Sequence, residues 1–312
     1  MKNLLKPLAL AAAVAAAPFA MADTVKIELT AKEVDVPIDN AGTTQHMWTY
    51  EGLLPGPLLR VKEGDTVEIT LHNHPDNGNS HSIDLHAAVV DVLDEFDEVK
   101  PGDTKTFTFK ANYPGIFVYH CGADSMAEHI GRGMYGAIIV DPKEGYSENY
   151  PKPDREYVLI QSDLYEEGTS AEDMKMGNGW KAPLINGKIF HYSPVHDPNA
   201  SLALEAKPGE RVRIFYANAM VNEAAAMHPI AGIWDRVWDN GNPKNLSHGL
   251  QTVGVPAAHA VTMDIVPPAD RPTNNAIVDH RMKHALNGAI SVLMAHDDAD
   301  PDRGRGDQLI LR

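Results

Sequence analysis

The 312-residue chain carries 43 acidic against 27 basic side chains, a formal charge of −16, and one cysteine. Such a balance argues against nucleic acid as a partner, because affinity for it comes largely from Lys and Arg on phosphates. A single cysteine excludes an internal disulfide and leaves a free thiol or a metal ligand.

Residues 1–22 run from a basic start (Lys2, Lys6) through an alanine- and leucine-rich middle to Ala20-Met21-Ala22. This is the pattern of a secretory signal peptide with an expected cut after Ala22, which places the mature chain in the bacterial periplasm. A membrane anchor would need roughly 20 unbroken apolar residues, and Pro7 and Pro18 bracket a shorter run. No later segment is apolar enough to span a bilayer. Removing the leader takes Lys2 and Lys6 and makes the chain still more acidic, which suits a basic partner protein or plain solubility.

From Thr24 to Glu33 apolar and polar residues alternate, as in a half-buried strand. Turn residues interrupt such runs every roughly eight to twelve positions, the signature of sandwiched β-sheets. Helix is expected only in short pieces, near Met126 to Gly131 and Met282 to Leu286. The pattern then repeats: Leu58 to Ile69 is echoed by Ala203 to Ile214, and Val118-Tyr119-His120 by Val278-Asp279-His280. Two copies of one β-sandwich follow, spanning residues 23–150 and 151–312, with the seam between Pro142 and Asp154. The second copy has Arg281 where the first has Cys121, so it cannot repeat a thiolate site.

Taken singly, a lone cysteine is most often a small buried hydrophobe and a methionine is core filler. Taken together, His120-Cys121, then His129 after seven residues and Met134 after four more, match a trigonal His₂Cys copper site with a weak axial Met. The second histidine of that site has His81 as its candidate. Alternation along a strand sends His81 and His86 to opposite faces, and adjacent His120 and Cys121 likewise. His81 and Cys121 then serve one metal, His86 and His120 another. His280, in the second copy at the place of His120, completes a His₃ site, and an open position there is a catalytic design. Zinc fits three histidines equally well but could not use electrons arriving through the Cys121–His120 peptide.

His81-x2-Asp84-x-His86, the His120-Cys121 to Met134 run, Met227-His228-x-Ile230, Val278-Asp279-His280, Leu54-Pro55-Gly56-Pro57 and Asp163-Leu164-Tyr165 together resemble the copper-containing nitrite reductases. The spacing after Cys121 is similar to that of the outer-membrane enzymes of Neisseria. The resemblance implies an all-β chain of two tandem cupredoxin-like Greek-key sandwiches in a homotrimer. It implies type 1 copper on His81, Cys121, His129 and Met134, and type 2 copper on His86, His120 and an adjacent subunit's His280. Asp84 and His228 would form a water-bridged proton relay, and Ile230 would pack over nitrite. The implied reaction is one-electron reduction of nitrite to nitric oxide and water, with electrons from a c-type cytochrome or small blue copper protein.

Asp84 could instead merely orient a ligand histidine. The acidic stretch Asp91 to Glu98, glycine-rich and neutral in many relatives, could attract a basic donor or simply be a solvated edge. A two-domain multicopper oxidase shares the fold, but its trinuclear cluster needs paired His-x-His motifs, and His72-Asn73-His74 is the single one here. A blue-copper electron carrier is the remaining alternative; it would need neither His280 nor an open coordination position.

Overall fold

Short alternating runs resolve into four sheets in the computed structural model, which describes residues 23–303 and 310–311; the expected leader, 1–22, lies outside the described residues. In the first half the elements are β1 (Thr24–Pro37), β2 (Thr44–Tyr50), β3 (Leu58–Lys62), β4 (Thr66–Asn73), β5 (Asp84–Leu85), α1 (Val92–Phe96), β6 (Thr104–Lys110), β7 (Gly115–His120), α2 (Met126–Gly131) and β8 (Tyr135–Asp141). The second half begins with β9 (Arg155–Tyr165), α3 (Ala171–Lys175), β10 (Trp180–Ile185), β11 (Leu204–Ala206), β12 (Val212–Asn218) and β13 (Ala225–Ile230). It continues through β14 (Trp234–Asp239), β15 (Leu246–Leu250), β16 (Val253–Val255), β17 (Ala260–Ile265), β18 (Thr273–Asp279), α4 (Met282–Ala285), β19 (Ile290–Ala295) and β20 (Ile310–Leu311).

The first sandwich faces a β2-β1-β4-β6 sheet against a β20-β3-β8-β7-β5 sheet; the second faces β10-β9-β12-β17-β14-β15 against β11-β19-β18-β13-β16. Strand β4 shows why: every second residue, Val67, Ile69 and Leu71, is buried while the residues between are half-exposed. Strand β8 is buried on both faces and reads accordingly as an apolar run. Ile138 and Val140 enter the first core, whereas Tyr135, Ala137 and Ile139 pack with Val158, Ile160, Phe215 and Ala217 across the seam. Arg60 reinforces that junction, bridging Asp141 at 2.8 Å and Glu156 at 2.9 Å.

The stretch from His81 to His86, expected as one strand, is strand only at Asp84–Leu85. Its backbone changes partner along the way. His81 exchanges hydrogen bonds with Val99, whereas Asp84 pairs with His120 in β7, and the His86 amide donates to Val118. The two histidines diverge because the chain turns between two partners, not by strand alternation alone. Buried Tyr50 ties down this bend, its Oη donating to the Ser82 carbonyl at 2.7 Å, while Tyr119, whose backbone pairs with Leu85, donates its Oη to the Pro57 carbonyl at 2.6 Å.

Tyr119 fits only because residue 136 has no side chain, since a Cβ there would lie 2.2 Å from the ring carbon Cζ. Gly136→Ala is expected to cost about 1–3 kcal/mol by overpacking. Calorimetry should show a clearly lowered Tm, and an unchanged midpoint would mean that the tyrosine yields freely.

Candidate metal centres

At the open end of the first sandwich, His81, Cys121 and His129 converge, all buried. Cys121 follows the last residue of β7, and His129 lies in α2, the short helix at which the loop turns back toward β8. Cys121 Sγ lies 3.1 Å from His129 Nδ1, and the two Nδ1 atoms of His81 and His129 lie 3.3 Å apart. Met134 is buried in the same core cluster, and its carbonyl accepts the Cys121 amide at 3.1 Å. The Ser82 amide donates to Cys121 Sγ at 3.3 Å. Hydrogen bonding of this kind around a cysteine sulfur tunes a copper site.

The electrostatics suit a cation. Burial lowers the His129 pKa to about 4 and depresses that of His81, so both imidazoles present lone pairs at neutral pH. Burial likewise pushes the Cys121 thiol up to about 11, a cost that a bound positive ion reverses. One thiolate and two imidazoles aimed at a common point therefore fit copper.

On the other side of the His120–Cys121 peptide, His86 Nε2 and His120 Nε2 lie 3.1 Å apart. His120 Nδ1 donates to the Cys121 carbonyl at 3.0 Å, which leaves its Nε2 as the free donor atom. Asp84 Oδ2 stands 3.7 Å from each Nε2, farther than the imidazoles are from one another. His86 is exposed and His120 buried, so this pair opens outward.

His280 is not in that group. It follows β18, exposed, with its ring centroid 5.3 Å from that of His228 in β13. His228 Nδ1 donates to the Gln251 carbonyl at 2.7 Å, leaving Nε2 unengaged by that bond. Ile230, exposed at the end of β13, belongs to the same half of the chain. The sequence-predicted residues thus fall into one buried three-donor cluster, with Met134 in the same core, and two outward-facing partial ones.

Sequence reasoning did not find Glu33, which accepts from His81 Nε2 at 3.1 Å and is itself held by the Gly78 and Asn79 amides. No motif links residues 33 and 81; a carboxylate on an otherwise alternating strand was the sole signal. Trp48, edge-on to both His81 and His129, was equally silent. The acidic stretch is not simply a solvated edge. It forms α1, Asp91 caps the helix, Glu95 accepts the Leu85 amide, and Glu98 accepts the Asp124 amide.

A family described as multicopper oxidase matches residues 31–145. Copper-containing nitrite reductase from Neisseria meningitidis is 33% identical over 290 residues, covering 89% of this chain and 71% of that protein. The solved copper nitrite reductase of Nitrosomonas europaea is 52% identical with a TM-score of 0.88, covering 93% of this chain and 100% of that one. The chain belongs to the copper-containing nitrite reductases. The enzyme is accordingly a copper-dependent oxidoreductase. The copper nitrite reductase of Thermus scotoductus follows at 31% identity and a TM-score of 0.79, covering 93% of this chain and 67% of that one. A solved multicopper oxidase at 23% identity and a TM-score of 0.74 shares the fold.

His72 and His74 of the enzyme are taken up elsewhere, His72 by Thr104 Oγ1 at 2.8 Å and His74 by the Asp76 amide at 3.3 Å. Neither enters a metal-capable group among the described residues. No described helix is long and apolar enough to cross a membrane.

The depressed histidines fix a pH dependence for the metal-free protein. A histidine whose folded pKa lies below its unfolded value of about 6.5 binds its proton preferentially in the unfolded chain. Stability is therefore full above about pH 6.5 and falls as pH drops toward 4. Urea midpoints of copper-free protein should decline between pH 6.5 and 5, and His129→Gln should flatten that slope; equal slopes would remove His129 as a source.

Proposed function

We propose that the chain is a periplasmic homotrimeric nitrite reductase, NO₂⁻ + e⁻ + 2 H⁺ → NO + H₂O. In this reading His81, Cys121, His129 and Met134 hold type 1 copper, and His86, His120 and an adjacent subunit's His280 hold type 2 copper. The observation that carries it is the split donor set: the buried His81-Cys121-His129 cluster beside two half-sites that open outward through His86 and His280, Asp84-His86-His120 and His228-His280. An electron carrier has no use for the half-sites.

Bound copper supplies a Lewis acid for the anion and a one-electron couple. The chain supplies the rest. The His120–Cys121 peptide is the covalent link between the two sites. Asp84, 3.7 Å from both imidazole Nε2 atoms, is placed to hydrogen-bond an oxygen of nitrite and hand it a proton. His228, fixed by the Gln251 carbonyl, keeps a ring nitrogen for the second proton through water. The Ile230 side chain limits the space above the substrate. Val92 and Leu93, exposed among Asp91, Asp94 and Asp97, offer a donor cytochrome or blue copper protein an apolar contact with an acidic rim.

Purified copper-loaded protein with a reduced dye should convert nitrite to nitric oxide, and Asp84→Asn should lower kcat about a hundredfold with the visible type 1 absorption intact. Full activity in that variant would take Asp84 out of the reaction.

Trimer sharing has its own test. Neither His86→Ala nor His280→Ala alone should bind type 2 copper, but mixed assembly of the two should restore a fraction of the sites and of the activity. If mixing restores nothing while trimers form, His280 is not donated across the interface.

A further inference from the structure

The buried donor cluster is braced from a strand that contributes no donor to it. Glu33 lies in β1, and its Oε1 accepts the His81 Nε2–H at 3.1 Å. The same Oε1 accepts the Asn79 amide and the Asn79 side-chain Nδ2, each at 3.0 Å, while Oε2 accepts the Gly78 amide at 3.1 Å. Four N–H groups face these two oxygens, the environment of a carboxylate, which accepts and does not donate. The charge sits in a dry place: the Glu33 side chain is 11% exposed and that of His81 fully buried. The backbone of Glu33 is held as well, its amide donating to Asn77 Oδ1 at 2.9 Å. Residues 77–79 thus grip both ends of Glu33 and press its carboxylate against one edge of the imidazole, while the Nδ1 on the other edge lies 3.3 Å from that of His129.

We propose that Glu33 is a positioning residue that also tunes the thiolate site: it fixes His81 with the proton on Nε2 and the Nδ1 lone pair toward Cys121 and His129, and its negative charge favours the dipositive over the monopositive copper ion. This rests on the reading of His81 as a type 1 copper ligand. A charge-assisted hydrogen bond from an imidazole N–H to a carboxylate makes the opposite ring nitrogen a stronger donor. A stronger donor and a nearby, poorly screened negative charge both stabilise the more highly charged ion. The site then holds its electron less tightly and passes it on more readily toward His120.

The test is the reduction potential of the type 1 site, read by spectroelectrochemical titration of its visible absorption in copper-loaded wild type, Glu33→Gln and Glu33→Ala. Gln keeps Oε1 for His81 and removes the charge, and the exposed Gly78 amide can turn to water. Glu33→Gln should shift the balance of affinities about tenfold toward the monopositive ion, a rise of about 59 mV for a one-electron couple, with the visible band retained. Glu33→Ala, which also frees the ring, should raise the potential at least as far and lose copper faster to a chelator. In copper-free protein carrying isotope-labelled histidine, NMR should place the His81 proton on Nε2 in wild type and Glu33→Gln, the signal being assigned by its loss in His81→Gln. Equal potentials in all three proteins, with a lowered Tm in the variants, would reduce Glu33 to a tie for the 77–79 turn and overturn the proposal. A wild-type His81 protonated on Nδ1 would overturn it too, and that result needs no variant to fold. Loaded protein without the visible absorption of a copper–thiolate bond would sink the type 1 assignment instead, and the NMR measurement would still decide whether Glu33 holds the His81 proton.

Discussion

One peptide bond sets the rest of the arrangement. His120 and Cys121 are consecutive at the end of β7, so their side chains leave the backbone on opposite sides. The thiol enters the first core, fully buried, and the imidazole reaches the outward-opening pair with His86. Everything nearby serves to keep those two directions fixed. Asp84 is paired in register with His120, the Cys121 amide is tied to Met134, and His120 Nδ1 is tied to the Cys121 carbonyl. A shift of this register by one residue would exchange the thiol and the imidazole between faces and destroy both donor sets at once.

The contrast in burial between the two clusters matches what the proposed function asks of each. A site that passes only electrons has no need of solvent, and a dry pocket that depresses His81 and His129 keeps both imidazoles neutral. A site that takes in an anion and protons has to be reached by both. In the proposed reading exposed His86 and His280 would meet that need, while buried His120 adjoins Cys121 through their shared peptide.

Much of this was legible in the sequence, for identifiable reasons. Residues drawn from one loop have a fixed spacing, so Cys121 and His129 read directly as neighbours with Met134 beside them in the core, and the duplicated Val-x-His pattern singled out His280, which lies beside His228 rather than with His86 and His120. What stayed hidden depends on contacts between distant segments. Glu33 meets His81 across 48 positions, and Trp48 meets His129 through a fold that no local pattern encodes. From sequence, strand alternation over 81–86 is the simplest way to make two histidines diverge. In the folded chain a change of backbone partner from Val99 to β7 does so instead. The acidic stretch was opaque for a related reason: composition reports how many carboxylates there are, not that Glu95 and Glu98 turn inward as acceptors.

The second half shows what stands at the corresponding place when the repeat carries no cysteine. Arg281 occupies the place of Cys121 and pairs with Glu223, and Asp279 occupies that of Tyr119. Burial opposes ionisation of Asp279, yet hydrogen bonds from His284, the Ala226 amide, Gln161 and the Arg281 amide hold its carboxyl below the usual range. A buried carboxylate satisfied from four directions is a rigid object, and it grips both sides of the turn through Ala226 and Arg281, while the His280 amide donates to the Ala226 carbonyl at 2.7 Å. The backbone of His280 is thereby tied on both sides of the turn, while its imidazole stays exposed beside that of His228.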